Sequence, residues 1–457
     1  MATRAFPLSI ALRGMLPRLR SLAKAVRKRV KRRVTRVFNR IAGLPITVRA
    51  LRKMHSTPGA RLRQAYARRY WRLTRPGELL DVAIALALWP AALVALACWF
   101  LWRNGGIVAE RMQLPLHRQF LDQFRLYFAA GVLPPWYYIY ELYDRPRNRD
   151  ARNFIYRCES KTGILSLLKE ARPPFSIVSD KVAFAEHCRW FRIRTIPVLA
   201  VARDGRFEWK VDPNDAQVDW FAKPIDGKGG KNIERWDLDH PGYFRGADGE
   251  LVDHGALMAR FAAESWTMPR FIQPRIVNHP ALRKLSNGAL ATLRALTCLD
   301  EQGRPELVGA VMRMAVGDNH VVDNLHAGGI AAGVDLASGE LGPASNLGAD
   351  VRLGWIEKHP DSGAPIRGFR LPCWALMRPF VEHAHGGFAD RVLIGWDIAL
   401  TADGPVLVEA NGAPDLDIMQ RPFRRGLMRE RLATLLAHHV ETWRRSALGG
   451  GVDPQLA

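Results

Sequence analysis

Asp397, Glu409 and Asn411 are the residues of this 457-residue chain whose types and spacing best suit chemistry, and all three lie in Leu393 to Gly412, LIGWDIALTADGPVLVEANG. Val392 to Leu400 is mostly apolar, Thr401 to Gly404 supplies turn residues, and Val406 to Val408 is apolar again. That pattern predicts two short strands joined by a turn. Residues two apart on a strand share a face, so Glu409 and Asn411 point to one side and Asp397 can meet them from the partner strand. Two carboxylates and an amide carbonyl make an oxygen set for a hard cation such as Mg²⁺. The triplet alone fits equally well an ordinary hairpin whose polar residues face water.

A second group suits an anion. Trp220 to Asp226 (WFAKPID) reads as a strand with a lysine, Lys223, near its end, followed by Gly227, Lys228, Gly229, Gly230 and Lys231. Glycines let consecutive N–H groups approach an anion closely, and a lysine adds a compact positive charge. The spacing is not that of a Walker A loop, and a flexible glycine turn is the plain alternative. Upstream, Asp180-Lys181 opens a helix expected over Val182 to Phe191, with Asp180 as its N-cap, and Ile193 to Val201 reads as a strand.

In combination, FAKPIDGKGGKNI at Phe221 to Ile233 and the Asp, Glu-x-Asn hairpin resemble the ATP-grasp superfamily. The resemblance implies an α+β fold in which two α+β halves clamp ATP between antiparallel sheets. It implies that Asp397, Glu409 and Asn411 hold magnesium. It also implies that Lys181, Lys223, Asp226, Gly227, Gly229, Gly230 and Lys231 bind the nucleotide, with Gln273 in the linker strand where adenine lies. Arg294, then Arg313, then Asp323-Asn324-Leu-His326-Ala-Gly328-Gly329, and finally Glu-x-Asn follow the order seen in the α-L-glutamate-ligase-like branch. By that likeness Arg313, Arg294 and Asn324 are the catalytic candidates, and an arginine fork suits charge spread over phosphoryl oxygens.

With Lys358 to Gly363, Gly368 to Trp374 and the IGWD segment, the chain from roughly Glu141 to Thr442 is similar to the sugar-transfer-associated ATP-grasp proteins. That similarity implies an ATP- and Mg²⁺-dependent ligase joining a small carboxylate to an amine or a sugar hydroxyl through an acyl phosphate, in cell-surface polysaccharide biosynthesis. Two other classes stay open: a membrane-docked ATP-binding protein without turnover, and a nucleic-acid binder acting through its basic residues.

The elements that must position these residues follow an uneven charge. The net charge is +23, yet 22 of the 67 Lys and Arg lie in Met1 to Pro76, where there is no Asp or Glu. The rest is nearly neutral, so a pI near 10.4 describes an arm and gives no reason to expect specific nucleic-acid binding by the body. Leu19, Leu22, Val26, Val30, Val34, Val37 and Ile41 recur at helical spacing among basic residues, which predicts an amphipathic helix suited to an anionic membrane surface. A solvated tail is the alternative.

Val82 to Trp102 holds 21 residues without a charge, ~31 Å as a helix, about a bilayer's hydrocarbon thickness. Pro90 offers a place for this segment to turn back, which would leave both termini on the cytoplasmic face of the inner membrane. Leu126 to Tyr140, broken by Pro134-Pro135, suits an interfacial or packed role, and Glu141 to Ala171 has helical spacing.

The divisions expected are a basic arm (1–76), a hydrophobic membrane-associated segment (77–104), a helical linker region (105–175), a half carrying the glycine loop (176–270) and a half carrying the metal residues (271–445). Five scattered cysteines without a C-x-x-C pair argue against a disulfide framework, and Glu382-His383-Ala-His385 lacks the further ligands of a zinc site.

Overall fold

The computed structural model describes residues 8–52, 56–225, 232–317, 323, 325 and 328–449. Five helices come first: α1 (Leu8–Arg52), α2 (Pro58–Trp71), α3 (Pro76–Met112), α4 (Leu116–Ala130) and α5 (Pro134–Ile139). Prolines at the first helical turn, where an N–H would have no partner, start α2, α3 and α5, and the Thr57 side chain caps α2. The second half of α1 is an integral part of this bundle. Its Val37, Ile41, Ala42 and Ile46 are buried, and Val37 and Ile41 pack with Ala85 of α3.

Pro90 does not turn the apolar segment back, because α3 runs unbroken from Pro76 to Met112. A proline removes one backbone bond, but this one lies on the exposed side and the helix continues past it. Leu126 to Tyr140 takes the packed role, with Leu126, Tyr127, Trp136, Tyr137 and Tyr138 buried in an aromatic core. Glu141 to Ala171 is not one helix. It divides into α6 (Arg145–Arg149), a 3₁₀ turn at Ala151–Asn153, a π-helical turn at Glu159–Ile164 and α7 (Leu165–Ala171).

The remaining helices are α8 (Lys181–Trp190), α9 (His254–Glu264), α10 (Trp374–Gly386), α11 (Asp417–Phe423) and α12 (Arg431–Gly449). The strands are β1 (Ala200–Arg203), β2 (Arg206–Trp209), β3 (Trp220–Pro224), β4 (Glu234–His240), β5 (Tyr243–Gly246), β6 (Leu251–Asp253), β7 (Arg270–Pro274), β8 (Thr292–Leu299), β9 (Pro305–Met314), β10 (Ile330–Val334), β11 (Leu341–Ser345), β12 (Leu393–Thr401) and β13 (Gly404–Asn411). They form two antiparallel sheets, one of seven strands in the order β2-β1-β7-β3-β4-β5-β6 and one of six in the order β11-β10-β9-β8-β12-β13.

Strands β8 and β12 are buried along their whole length, so they read as largely apolar runs, interrupted by Thr292, Arg294 and Thr297 on β8 and by Asp397 and Thr401 on β12. One face of the six-stranded sheet, with Leu293, Ala295, Trp396 and Ile398, packs on Met377, Val381 and Phe388 around α10. The other, with Leu296, Cys298, Val311 and Leu393, packs on Leu432, Leu435, Leu436 and Val440 of α12 and on α7.

The helical region is bolted to the sheet region by buried polar contacts. Asp417 of α11 accepts from Trp136 Nε1 at 3.3 Å and from the Tyr140 hydroxyl, while Gln420 Oε1 accepts from Ile155 N at 2.7 Å. Leu62 and Ala65 of α2 belong to the same core as α12.

Candidate active site

The site grows out of strand register. Antiparallel pairing sets Asp397 on β12 opposite Arg294 on β8 and opposite Glu409 on β13, and sets Arg313 on β9 opposite Thr292 on β8. Period two puts Thr292, Arg294, Leu296 and Cys298 on one face. Leu296 and Cys298 lie under the apolar cover of α12 and α7, whereas Thr292 and Arg294 sit at the charged end of the same face. Gly395 is required by close approach: a Cβ there would stand 2.8 Å from Pro414 Cβ, in the turn that leaves β13.

Arg294 donates to both oxygens of Asp397, from Nε to Oδ1 and from Nη2 to Oδ2 at 3.0 Å. Arg313 Nη2 stands 3.1 Å from Asp397 Oδ2 and 3.3 Å from Asp323 Oδ1. Asp323 also accepts from the Thr292 backbone N–H at 2.8 Å and from the Thr292 hydroxyl, which in turn accepts from Arg313 Nε at 3.1 Å. These groups are almost wholly buried: Asp397 is 3% exposed, Arg294 7% and Arg313 8%.

Burial alone would push the Asp397 carboxyl up, but the two guanidinium groups outweigh it and hold it well below the usual range. Burial likewise opposes charge on Arg313, and Asp323 and Asp397 overcome it to push the guanidinium up. Glu409 moves the other way, raised by burial and by the charge of Asp397, with Lys181 opposing.

Lys223 comes from the seven-stranded sheet, and Lys181 from α8, whose Phe184 and Cys188 pack in the core of the six-stranded sheet. Asp180 caps α8 through Val182 N and Ala183 N, which aims Lys181 at the six-stranded sheet, where its Nζ stands 3.6 Å from Glu409 Oε2. Lys223 on β3 donates to Gln273 Oε1 at 3.1 Å, and Gln273 Nε2 donates to Ile196 O at 3.1 Å. Both polar atoms of the Gln273 amide are thus engaged inside the protein, and the residue steadies Lys223. Burial, reinforced by the charge of Lys181, pushes the Lys223 ammonium down to about 8.

The residues fit a magnesium ion. The Glu409 side chain keeps 35% of its surface exposed, and Asn411 Nδ2 is buried without a hydrogen-bond partner. An amide's oxygen and nitrogen exchange by a simple flip, so that orphaned position can present a carbonyl oxygen to a cation. Four cations, Arg294, Arg313, Lys181 and Lys223, face three carboxylates, Asp323, Asp397 and Glu409. The surplus favours an anionic ligand such as a polyphosphate.

Of the residues singled out from sequence, Arg294, Arg313, Asp397, Glu409 and Asn411 gather on one sheet face, Lys181 reaches it from α8, and Lys223 approaches it from the seven-stranded sheet. Asn324, Asp226, Gly227, Gly229, Gly230 and Lys231 lie outside the described residues. Sequence reasoning gave no part to Asp323 and Thr292, which anchor Arg313, or to Lys161, whose Nζ donates to Ala413 O at 2.7 Å and Pro414 O at 3.2 Å beside the end of β13. A lysine in a π-helical turn carries no local signal of that reach.

His385 is buried and bonded to Arg391 O at 2.8 Å, and burial lowers its pKa to about 4. Among the described residues no group of three or more His, Cys, Asp or Glu is placed to hold a metal, whereas the set at the hairpin is two carboxylates and an asparagine.

Comparison with known proteins bears on this arrangement. The model of the sugar-transfer-associated ATP-grasp family matches residues 166–435, which include every residue named at the site except Lys161. No curated protein matches the chain. Among solved structures, D-cycloserine synthetase aligns at 13% identity over 58% of this chain and 70% of its own, with a TM-score of 0.31. D-alanyl-alanine synthetase A from Vibrio cholerae aligns at 10% identity over 58% of this chain and 65% of its own, with a TM-score of 0.34. D-alanine–D-alanine ligase from Bacillus anthracis, complexed with ATP, aligns at 11% identity over 60% and 68%, with a TM-score of 0.32. With the matched segment covering more than half of its length, the chain belongs to the sugar-transfer-associated ATP-grasp family.

Proposed function

We propose that this protein is an ATP- and Mg²⁺-dependent ligase that activates a small carboxylate as an acyl phosphate and transfers the acyl group to an amine or a sugar hydroxyl. The observation that carries this reading is the meeting of Lys223, from the seven-stranded sheet, with the Lys181–Glu409 pair at 3.6 Å on the six-stranded sheet, beside the buried Asp397, Arg294 and Arg313. That geometry supports nucleotide phosphates lying between the two sheets.

In this reading Lys181 and Lys223 hold the phosphates, and Arg313, fixed by Asp323 and Asp397, offers its guanidinium to the transferring phosphoryl group. Glu409, Asn411 and Asp397 would hold magnesium, which supplies charge neutralisation on the phosphoryl oxygens. Arg294 keeps Asp397 ionised and in place. Asn324 and the segment Asp226 to Lys231 join this assignment by resemblance.

Atoms balance in two steps. A carboxylate oxygen attacks the γ-phosphorus and ADP leaves. The amine or hydroxyl then attacks the acyl carbon, phosphate leaves and one proton is released. The family description favours a sugar or polysaccharide setting for the acceptor. In this reading an ATP-dependent site works at the cytoplasmic face of the cell membrane, and the one helix among the described residues long and apolar enough to cross a bilayer supports membrane association.

The test uses the full chain in detergent with ¹⁸O-labelled carboxylates and a panel of amine and sugar acceptors. The expected result is ADP and phosphate in equal amounts, with one ¹⁸O carried into the phosphate. Formation of AMP, or phosphate without label, overturns the acyl-phosphate reading.

A further inference from the structure

Helix α3 presents two unlike faces. Asp81, Val82, Ala85, Leu93, Ala97, Asn104 and Val108 are buried against the protein. Leu80, Leu86, Leu88, Val94, Trp99 and Trp102 are exposed large hydrophobics, Leu88 at 51% and Trp102 at 77%, and from Ala83 to Trp102 every exposed position is apolar. From Leu80 to Trp102 this face is ~33 Å long. Phe128 of α4, also exposed, meets Trp89 edge-on at 5.9 Å and widens it. Apolar surface of this extent needs a cover.

Both ends of α3 are tied to the same body. Near its start, Asp81 pairs with Arg36 at 2.7 Å and Arg33 at 3.3 Å on α1. Toward its end, Asn104 accepts from Val351 N at 3.1 Å, and Arg111 donates to Val351 O and Arg352 O, each at 2.7 Å. Residues 349–352 lie within the ATP-grasp region, α2 is joined to that region through Leu62 and Ala65, and α1 is held to α2 by the Tyr70 hydroxyl, which donates to Arg40 O at 2.7 Å. A helix crossing a bilayer would put Asp81 and Asn104 on opposite sides of ~30 Å of hydrocarbon. These contacts cannot then coexist.

Charge identifies the cover. Arg33 and Arg36 meet Asp81, and Val37 and Ile41 meet Ala85, so α1 and α3 run in the same direction and the residues before Arg33 extend past the start of α3. Arg29, Lys31 and Arg32 there, and Arg72 and Arg75 in the turn before α3, are exposed. An apolar stripe ending in tryptophans, with a basic cluster beside its other end, complements an anionic bilayer surface and not a second copy of an equally basic chain.

We propose that the outer face of α3 lies flat in the headgroup layer of an anionic membrane, so that the protein is held on one leaflet without crossing it and its site works at the lipid surface. This rests on the membrane association proposed above, and it assigns the face and the geometry.

The test is sedimentation of the full chain with vesicles of phosphatidylcholine containing 30% phosphatidylglycerol. It is joined to nitroxide depth measurements at Ala83→Cys, Ala91→Cys and the exposed Cys98. Flat docking predicts equal, shallow depths at all three sites, at least ten-fold weaker binding in L88E/W102E, and weaker binding in 0.5 M NaCl. Depths that grade across the bilayer, or unchanged binding by L88E/W102E, overturn flat docking while leaving membrane association standing. No binding to any vesicle overturns both, and self-association of the wild type lost in L88E/W102E without vesicle binding assigns the face to a second copy instead.

Discussion

Arg294 grips Asp397 through Nε and Nη2 from the neighbouring strand, and both residues are buried in the sheet. The carboxylate is therefore a structural member of the β8–β12 pair as well as a candidate ligand. Glu409 and Asn411, on the next strand, carry no such debt, since one is partly exposed and the other keeps an orphaned amide nitrogen.

Arg294→Met is expected to destabilise the protein by about 3 to 5 kcal/mol, because it leaves a buried carboxylate with Arg313 as its only strong partner. Chemical denaturation of the wild type and the variant measures this. A loss below about 1 kcal/mol would mean that the pair is solvated.

Glu409→Ala and Asn411→Ala should behave differently. The strand that carries them is anchored by Val406 and Leu407, which stay in place. Stability should change by no more than about 1 kcal/mol while magnesium-dependent ATP consumption disappears. Full activity in Glu409→Ala would remove the hairpin from the site.

Lys223 makes the account pH-dependent. Its ammonium, ordinarily near 10.5, is pushed to about 8, first by burial and then by Lys181. Between about pH 8 and 10.5 the unfolded chain binds a proton that the folded chain has lost, so this group's destabilising contribution is full below pH 8 and relieved as pH rises through that window. Nucleotide phosphates restore the proton, so ATP binding near pH 9 should take one up, and affinity should fall as pH rises above 8. Calorimetry in buffers of different ionisation enthalpy reads the uptake. Its absence in the wild type would place the phosphates elsewhere.

How much of this was legible in the sequence follows from which signals are local. The β12–β13 hairpin, Asp180 as a cap and the strand bearing Lys223 announce themselves through turn residues and alternation over a few positions. The partnership of Arg294 with Asp397 does not, since it spans 103 residues and depends on strand register. Asp323 was legible only as part of an ordered motif, and its hold on Arg313 was not, for the same reason. The apolar run at Val82 to Trp102 was legible as apolar, but its fate at Pro90 was not, because the contacts that tie down the two ends of α3 lie on α1 and in the 349–352 loop.

A chain beginning at Gly105 should be poorly soluble, although it lacks the most apolar segment. It loses α2, whose Leu62 and Ala65 complete the core beside α12, and it loses Tyr66 and Tyr70 from the aromatic core. Thermal melting and light scattering check this. A soluble truncation melting with the full chain would show that the sheet region folds without its helical partner.

The most direct test of the central claim, that both halves grip one nucleotide, is the affinity for MgATP of Lys223→Ala against the wild type by titration calorimetry. A charge-assisted contact of about 1.5 to 3 kcal/mol corresponds to a loss of roughly ten-fold to a hundred-fold. Weakening of that size is the predicted result, and a wild-type affinity in Lys223→Ala would contradict it.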